Sequence, residues 1–176
     1  MANNIQNKLK AIGSDRELND LFDSIKSLGE TVNDARTIDF SKIVPPPYLV
    51  NNERQIRWNY ENWGTKWNSY DNYDKRDTYD TIFFKTAWSN VLNLIKILSL
   101  NFPKMAFEYS FFDEDFGANV GFYKIKNGEV LEVNTPEHFS KEAYDMALNI
   151  AEAKPEDFGL VYDENQNNYT YYDECI

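Results

Sequence analysis

Residues 81–112 read TIFFKTAWSNVLNLIKILSLNFPKMAFEYSFF, and the succession of periods in this stretch decides the fold. TIFFKTA (81–87) is a short run rich in aromatic and β-branched residues, which predicts a central strand. Ser89 then stands where a helix cap belongs. The helix would run through Val91, Leu92, Ile95 and Leu98 and stop before Pro103. In MAFEYSFF (105–112), Met105, Phe107, Tyr109 and Phe111 alternate with Ala106, Glu108, Ser110 and Phe112. That period of two predicts a strand with one strongly apolar face.

Toward the N-terminus, NIQNKLKAI (4–12) places Ile5, Leu9 and Ala11 on one face of a strand that Gly13 ends. Ser14 and Glu17 form a capping box. Leu18, Leu21, Phe22, Ile25 and Leu28 follow at helical spacing, with Gly29 where a C′ glycine belongs. TIDFSKIV (37–44) suggests a short strand, stopped by three prolines, Pro45 to Pro47. From Tyr48 to Tyr79 no period is sustained. The aromatic content argues against disorder, so a long irregular insertion is expected.

Toward the C-terminus, NVGFYKIK and EVLEV flank Asn127-Gly128, a type I′ hairpin signal. A third helix opens at Thr135-Pro136 or Ser140, runs to about Ala153 and is ended by Pro155. GLVYDENQNNYTYY predicts a last hairpin. The whole is a βαββαβ order in an α+β chain: a ferredoxin-like (split βαβ) antiparallel sheet with two helices on one face. Residues 1–134 form this domain, with an insertion at about 45–80. Residues 135–176 form an acidic helical and hairpin extension packed on the same domain.

The 176 residues suit one domain, and 42% hydrophobic with 16% aromatic residues can build a substantial core. No apolar run reaches the roughly 18 residues of a membrane span. MANNIQNKLK shows no basic segment followed by an apolar one, so no signal peptide is expected. Cys175 is the single cysteine and can form no intrachain disulfide, which fits a reducing cytoplasm. The net charge of −11 is uneven. Through Met105 there are 14 Lys/Arg against 13 Asp/Glu; after it, 4 against 16. That acidity repels phosphate backbones and attracts basic protein surfaces.

ENWGTKWNSYD (61–71) brackets Gly64 between Trp63 and Trp67 in a polar run. A fully buried tryptophan removes about 150–250 Å² from water, worth roughly 4–6 kcal/mol. Trp58, Trp63 and Trp67 could therefore clasp the insertion onto the sheet, with Gly64 supplying a positive φ. Two alternatives remain. The rings could stack on unpaired bases, served by Arg54, Arg57, Lys66, Lys75 and Arg76 but opposed by Glu53, Glu61, Asp71, Asp74 and Asp77. They could also bind a protein.

Asp113, Glu114 and Asp115 could gather a divalent cation, yet their spacing matches no calcium loop, so a solvated turn is expected and no metal site is assigned. His138 is the only histidine and reads as a surface or capping residue. No phosphate-cradling glycine motif is present. No catalytic residue and no cofactor are assigned.

The sequence resembles the YubB-like family of phage and plasmid proteins. The resemblance rests on NKLKAIG, IDFSKIVPPP, NWGTKWNSYD, TIFFKTAWS and EDFGANVGFY, in that order over residues 7 to about 123. NWGTKW followed by TAW carries the most weight and adds Trp88 to the structural motif. Asn90 and Val91 depart from the prolines usual after TAWS. The resemblance implies a ferredoxin-like domain and a mobile-element origin, and it supplies no catalytic residue because the family's activity is unassigned.

These observations predict a non-enzymatic accessory protein acting by protein–protein interaction, its partner a host or phage protein with a basic surface. The acids Asp113, Glu114, Asp115, Glu156, Asp157, Asp163, Glu164, Asp173 and Glu174 are the candidate contacts. Nucleic-acid mimicry against host defence machinery is one form such a role takes. The alternatives are a nucleic-acid-binding domain, using Phe83, Phe112 and Tyr123 on the sheet or the loop aromatics, and a metal-dependent hydrolase.

Overall fold

A computed structural model describes residues 3–28, 35–47, 53–70 and 74–172. Its main sheet has five antiparallel strands in the order β2-β1-β3-β4-β5, built from β1 (Asn4–Ile12), β2 (Thr81–Ala87), β3 (Ala106–Asp113), β4 (Gly121–Lys126) and β5 (Glu129–Asn134). β1 is antiparallel to both β2 and β3, so β2 and β3 run parallel with β1 between them. That is the split βαβ unit, and α4 (Leu92–Asn101) is its crossover. Tyr70 pairs with Lys85 as an isolated antiparallel bridge along the outer side of β2. Numbering β1, the Tyr70 segment, β2 and β3 as strands one to four gives the spatial order four-one-three-two. The ferredoxin-like plan is thus complete, with its second strand reduced to one bridge and the β4–β5 hairpin added beyond the fourth.

Three expectations change here. TIDFSKIV does not supply the second strand: Phe40–Ile43 is a helical turn, α2. The Asp39 carboxylate accepts from Ser41 N at 2.9 Å, and the Asn68 amide oxygen accepts from Phe40 N at 2.9 Å. These side-chain bonds take the place of a sheet ladder. β2 is consequently not central, since only the Tyr70 bridge lies outside it. The insertion is also less irregular than its composition suggests, because Glu53–Asn62 forms α3.

The helices cover the two faces unequally. α1 (Asp15–Ile25), α2 and α4 pack on one face over Ile5, Leu9, Phe84, Phe107, Tyr109 and Ile125. The Ser14–Glu17 capping box forms, but the helix ends at Ile25. Lys26 is extended and Leu28 lies exposed, while Gly29 falls outside the described residues. Ser89 does not cap α4 and neither does the side chain of its N-cap residue, Val91; the Asn90 Oδ1 accepts from Leu92 N at 3.1 Å. The buried Tyr109 hydroxyl accepts from Val91 N at 2.9 Å, and Ser89 Oγ donates to Gly64 O instead.

The other face carries α5 (Lys141–Ala151), which Ser140 caps by accepting from Ala143 N at 3.1 Å. Phe112, Phe116, Val120, Tyr144, Ala147, Leu148 and Leu160 form a second core beneath it. Lys8 pairs with Glu152 at 2.7 Å, and Arg76 Nη1 donates to Ala151 O at 2.7 Å. A cation at the last carbonyls suits the negative end of the helix. A 3₁₀ turn (Pro155–Phe158) leads to the hairpin of β6 (Leu160–Asp163) and β7 (Asn168–Tyr171). Among the described residues no helix is long and apolar enough to cross a membrane.

Candidate interaction surface

The tryptophans of the insertion divide between core and surface. Trp63 extends the inner side of α3, four residues past the buried Asn59. It is 4% exposed and meets Phe40 and Trp58 edge-on at 5.9 and 5.4 Å between centroids. Its Nε1–H donates to Val44 O at 2.9 Å, so the indole buries no unpaired polar group. Gly64, at φ 81°, then turns the chain out of α3.

Beyond Gly64 small polar side chains take the inward positions. Thr65 is fully buried, and its Oγ1 donates to Ala87 O at 2.7 Å and accepts from Ala87 N at 3.2 Å. Asn68 Nδ2 donates to Asp39 Oδ1 at 2.7 Å, and the buried Ser69 hydroxyl donates to Ile38 O. Burial would raise the Asp39 carboxyl, but hydrogen bonds from Ser41 and Asn68 outweigh it and hold the group below its ordinary value. Residues 64–70 therefore lie alongside residues 85–89 as one seam.

Two indoles stand out from that seam. Trp67 is 40% exposed, with the Lys66 ammonium 5.1 Å from its ring and Tyr70 6.3 Å away. Trp88 is 48% exposed and has a backbone φ of 71°. Such a conformation is rare for a bulky residue and costs about 1–3 kcal/mol. The backbone at Trp88 is fixed by its own N–H, which donates to Asn3 O at 2.8 Å, and by the Thr65–Ala87 pair beside it. Of the three rings expected to clasp the insertion, Trp58, Trp63 and Trp67, Trp67 does not turn inward, and Trp88, the ring added to the motif by the family resemblance, also stands outward. Thr65 and Ser69 make the inward hydrogen bonds to backbone carbonyls, so these polar chains hold residues 64–70 while the rings of Trp67 and Trp88 remain outside.

The candidate acids do not act as one set. Asp113 is 6% exposed, and its carboxylate accepts from Asn3 Nδ2 and Asp115 N, both at 2.9 Å. It closes the end of β3 and presents nothing to a partner, contrary to its candidacy. Glu114 is exposed and bonded by Asn4, and Asp115 is exposed. Asp157 accepts from Lys154 N, and Asp163 accepts from Asn165 N, so each closes a local turn. Glu156 and Glu164 are exposed, while Asp173 and Glu174 lie outside the described residues. Among the described residues, no three His, Cys, Asp or Glu side chains group to hold a metal ion. His138 is exposed beside Phe139.

The proposed stacking face does not form. Phe83 is buried beneath the Arg76 guanidinium, 4.1 Å from its ring, and Lys8. Phe112 is buried against Phe116 and Phe158. Tyr123 points to the opposite face, stacked on Phe111. Arg76 is itself held by Asp74, through two bonds, which keeps the Asp74 carboxyl below its usual range.

Fold and surface together define an α+β protein with a ferredoxin-like sheet, a second core under α5, and an aromatic seam on the strand-two side. The chain belongs to the Api92-like family: residues 62–154, just over half its length, match the ferredoxin-like domain in Api92-like protein. The match takes in the whole seam and α5 but leaves out β1, although β1 lies inside the sheet. The chain is similar in structure to a protein Api92 from Yersinia pseudotuberculosis, with a TM-score of 0.43 and 13% identity. That similarity covers 69% of this chain and 52% of the other, so the chain spans about half the length of that relative. No curated protein matches it.

Proposed function

We propose that this is a binding protein: an accessory protein of a phage or plasmid that acts in the host cytoplasm by docking on another protein and not by catalysis. The observation that carries the reading is the pair of half-exposed indoles, Trp67 and Trp88, on one hydrogen-bonded seam. Tryptophan is enriched at the energetic centres of protein interfaces. A strained backbone that keeps an indole in water is a cost to folding, and partner binding offsets it. The net charge of residues 106–176, 4 Lys/Arg against 16 Asp/Glu, supports a partner with a basic surface by long-range attraction. Nucleic-acid mimicry is the weaker form of this proposal, because Asp113 is buried and Asp157 and Asp163 serve turns.

The test is affinity capture from host lysate with the wild-type chain and a Trp67→Ala/Trp88→Gly variant. The proposal requires a partner that the wild type retains at low salt and the correctly folded variant does not. Equal recovery by both would overturn it.

A further inference from the structure

A cleft of about 510 Å³ lies between α5 and the sheet face opposite α1 and α4. It sits away from the tryptophan seam, and the inference drawn from it does not rest on the proposed docking role. Its size is that of a small-molecule site, for which about 300–1,000 Å³ is usual.

Its lining separates into polar groups already in use and polar groups that are not. Lys8 is committed to Glu152 at 2.7 Å, and Glu108 lies 3.7 Å from Lys124. Glu142 accepts from Asn134, while Asp145 accepts from Lys141 and Tyr169. Among the described residues, the Lys10 ammonium, the Ser110 hydroxyl and the Asn149 side-chain amide have no hydrogen-bond partner, and all three line the cleft. Two carboxylates flank Lys10: Asp80 feels its charge but is bonded by Thr78 and Thr81, and Glu108 stands opposite it on β3 with Lys124 3.7 Å away. Phe122, Met146 and Ile150 supply apolar surface between sheet and helix.

We infer that this cleft binds a small monocarboxylate with an apolar body. Lys10 meets the carboxylate with its charge, and Ser110 and Asn149 can donate hydrogen bonds to it. The body lies against Phe122, Met146 and Ile150. Three acids and two lysines line the cleft, so a phosphate or nucleotide bearing two or more negative charges is disfavoured, whereas a single charge is matched by Lys10. The strand-directed placement is simple. Lys8 and Lys10 share the face that Ser110 and Phe122 also occupy, since Lys8 pairs with Ser110 and Ser110 with Phe122.

An NMR titration of the full chain tests this with octanoate, octanamide and inorganic phosphate. Octanoate should shift amides of Lys10, Ser110 and residues 146–150, and octanamide should bind at least about tenfold more weakly. Phosphate should leave these amides unmoved. Lys10→Met keeps the aliphatic stem and should remove the preference for acid over amide. The comparison of the two ligands on the wild type needs no variant to fold. Equal affinity for acid and amide, shifts confined to other surfaces, or no shift with ligand at about 1 mM would overturn the inference.

Discussion

Replacing Tyr109 by Phe removes one oxygen from the most enclosed polar network in the molecule. The Tyr109 hydroxyl donates to Asn7 Oδ1 at 2.6 Å and accepts from Val91 N at 2.9 Å. Asn7 Nδ2 in turn donates to Phe84 O and Thr86 Oγ1, which ties β1 to β2. Asn7, Thr86, Val91 and Tyr109 are all essentially buried. The substitution therefore strands one acceptor and one donor where water cannot replace the lost oxygen. Each stranded group costs about 1–3 kcal/mol. The expected loss is about 2–6 kcal/mol, a large share of the roughly 5–15 kcal/mol by which domains are stable. Urea denaturation should show a lower midpoint with an unchanged slope. Burial pushes the Tyr109 phenol far above its ordinary value of 10.0, so the native state holds its proton where the unfolded chain releases it. Stability from this group is present below pH 10 and falls above it, by about 1.4 kcal/mol per pH unit, and the Phe variant should lack that increment. A loss under about 0.5 kcal/mol, the scale of an ordinary surface change, would refute the network's role.

Trp63→Ala should cost about 3–5 kcal/mol, the range for deleting a large aromatic from a core, read as a lowered melting temperature. Gly117→Ala should be strongly destabilising by the same measurement: φ is 91°, and an added Cβ would sit 2.5 Å from Tyr144 Cε1 on α5. Asp39 has a carboxyl held below 3.8, so its contribution is present above that pH and lost as pH falls through the depressed value. Asp39→Asn should flatten the acid limb of the stability profile, and an unchanged limb would contradict the assignment.

Periodicity made most of the sheet legible. TIFFKTA carries a strand's composition, MAFEYSFF a period of two and Asn127-Gly128 a turn signal, and tertiary contacts reinforce each. The errors occur where side chains bond to backbone. TIDFSKIV has a strand's composition, yet Asp39 and Asn68 accept from the amides of Ser41 and Phe40 and coil it. Asn59 is polar but buried, with Nδ2 on Lys66 O at 2.8 Å, so the inner face of α3 does not read as apolar. The outward rings at 67 and 88 were hidden for a related reason. Hydrophobicity predicts burial for tryptophan, whereas here Thr65 and Ser69 make the inward bonds. The cleft was partly visible, since Lys8 and Lys10 fall on the face opposite Ile5 and Leu9, but its wall, α5, arrives from more than a hundred residues away.

The account turns on whether Trp67 and Trp88 serve a partner or the fold, and one paired measurement on Trp67→Ala/Trp88→Gly decides it: melting temperature alongside partner capture. Glycine at 88 relieves a positive φ, and neither ring is enclosed, so the melting temperature should hold or rise while the captured partner disappears. A marked fall in melting temperature, with the partner still captured, would make these rings structural and contradict the docking role.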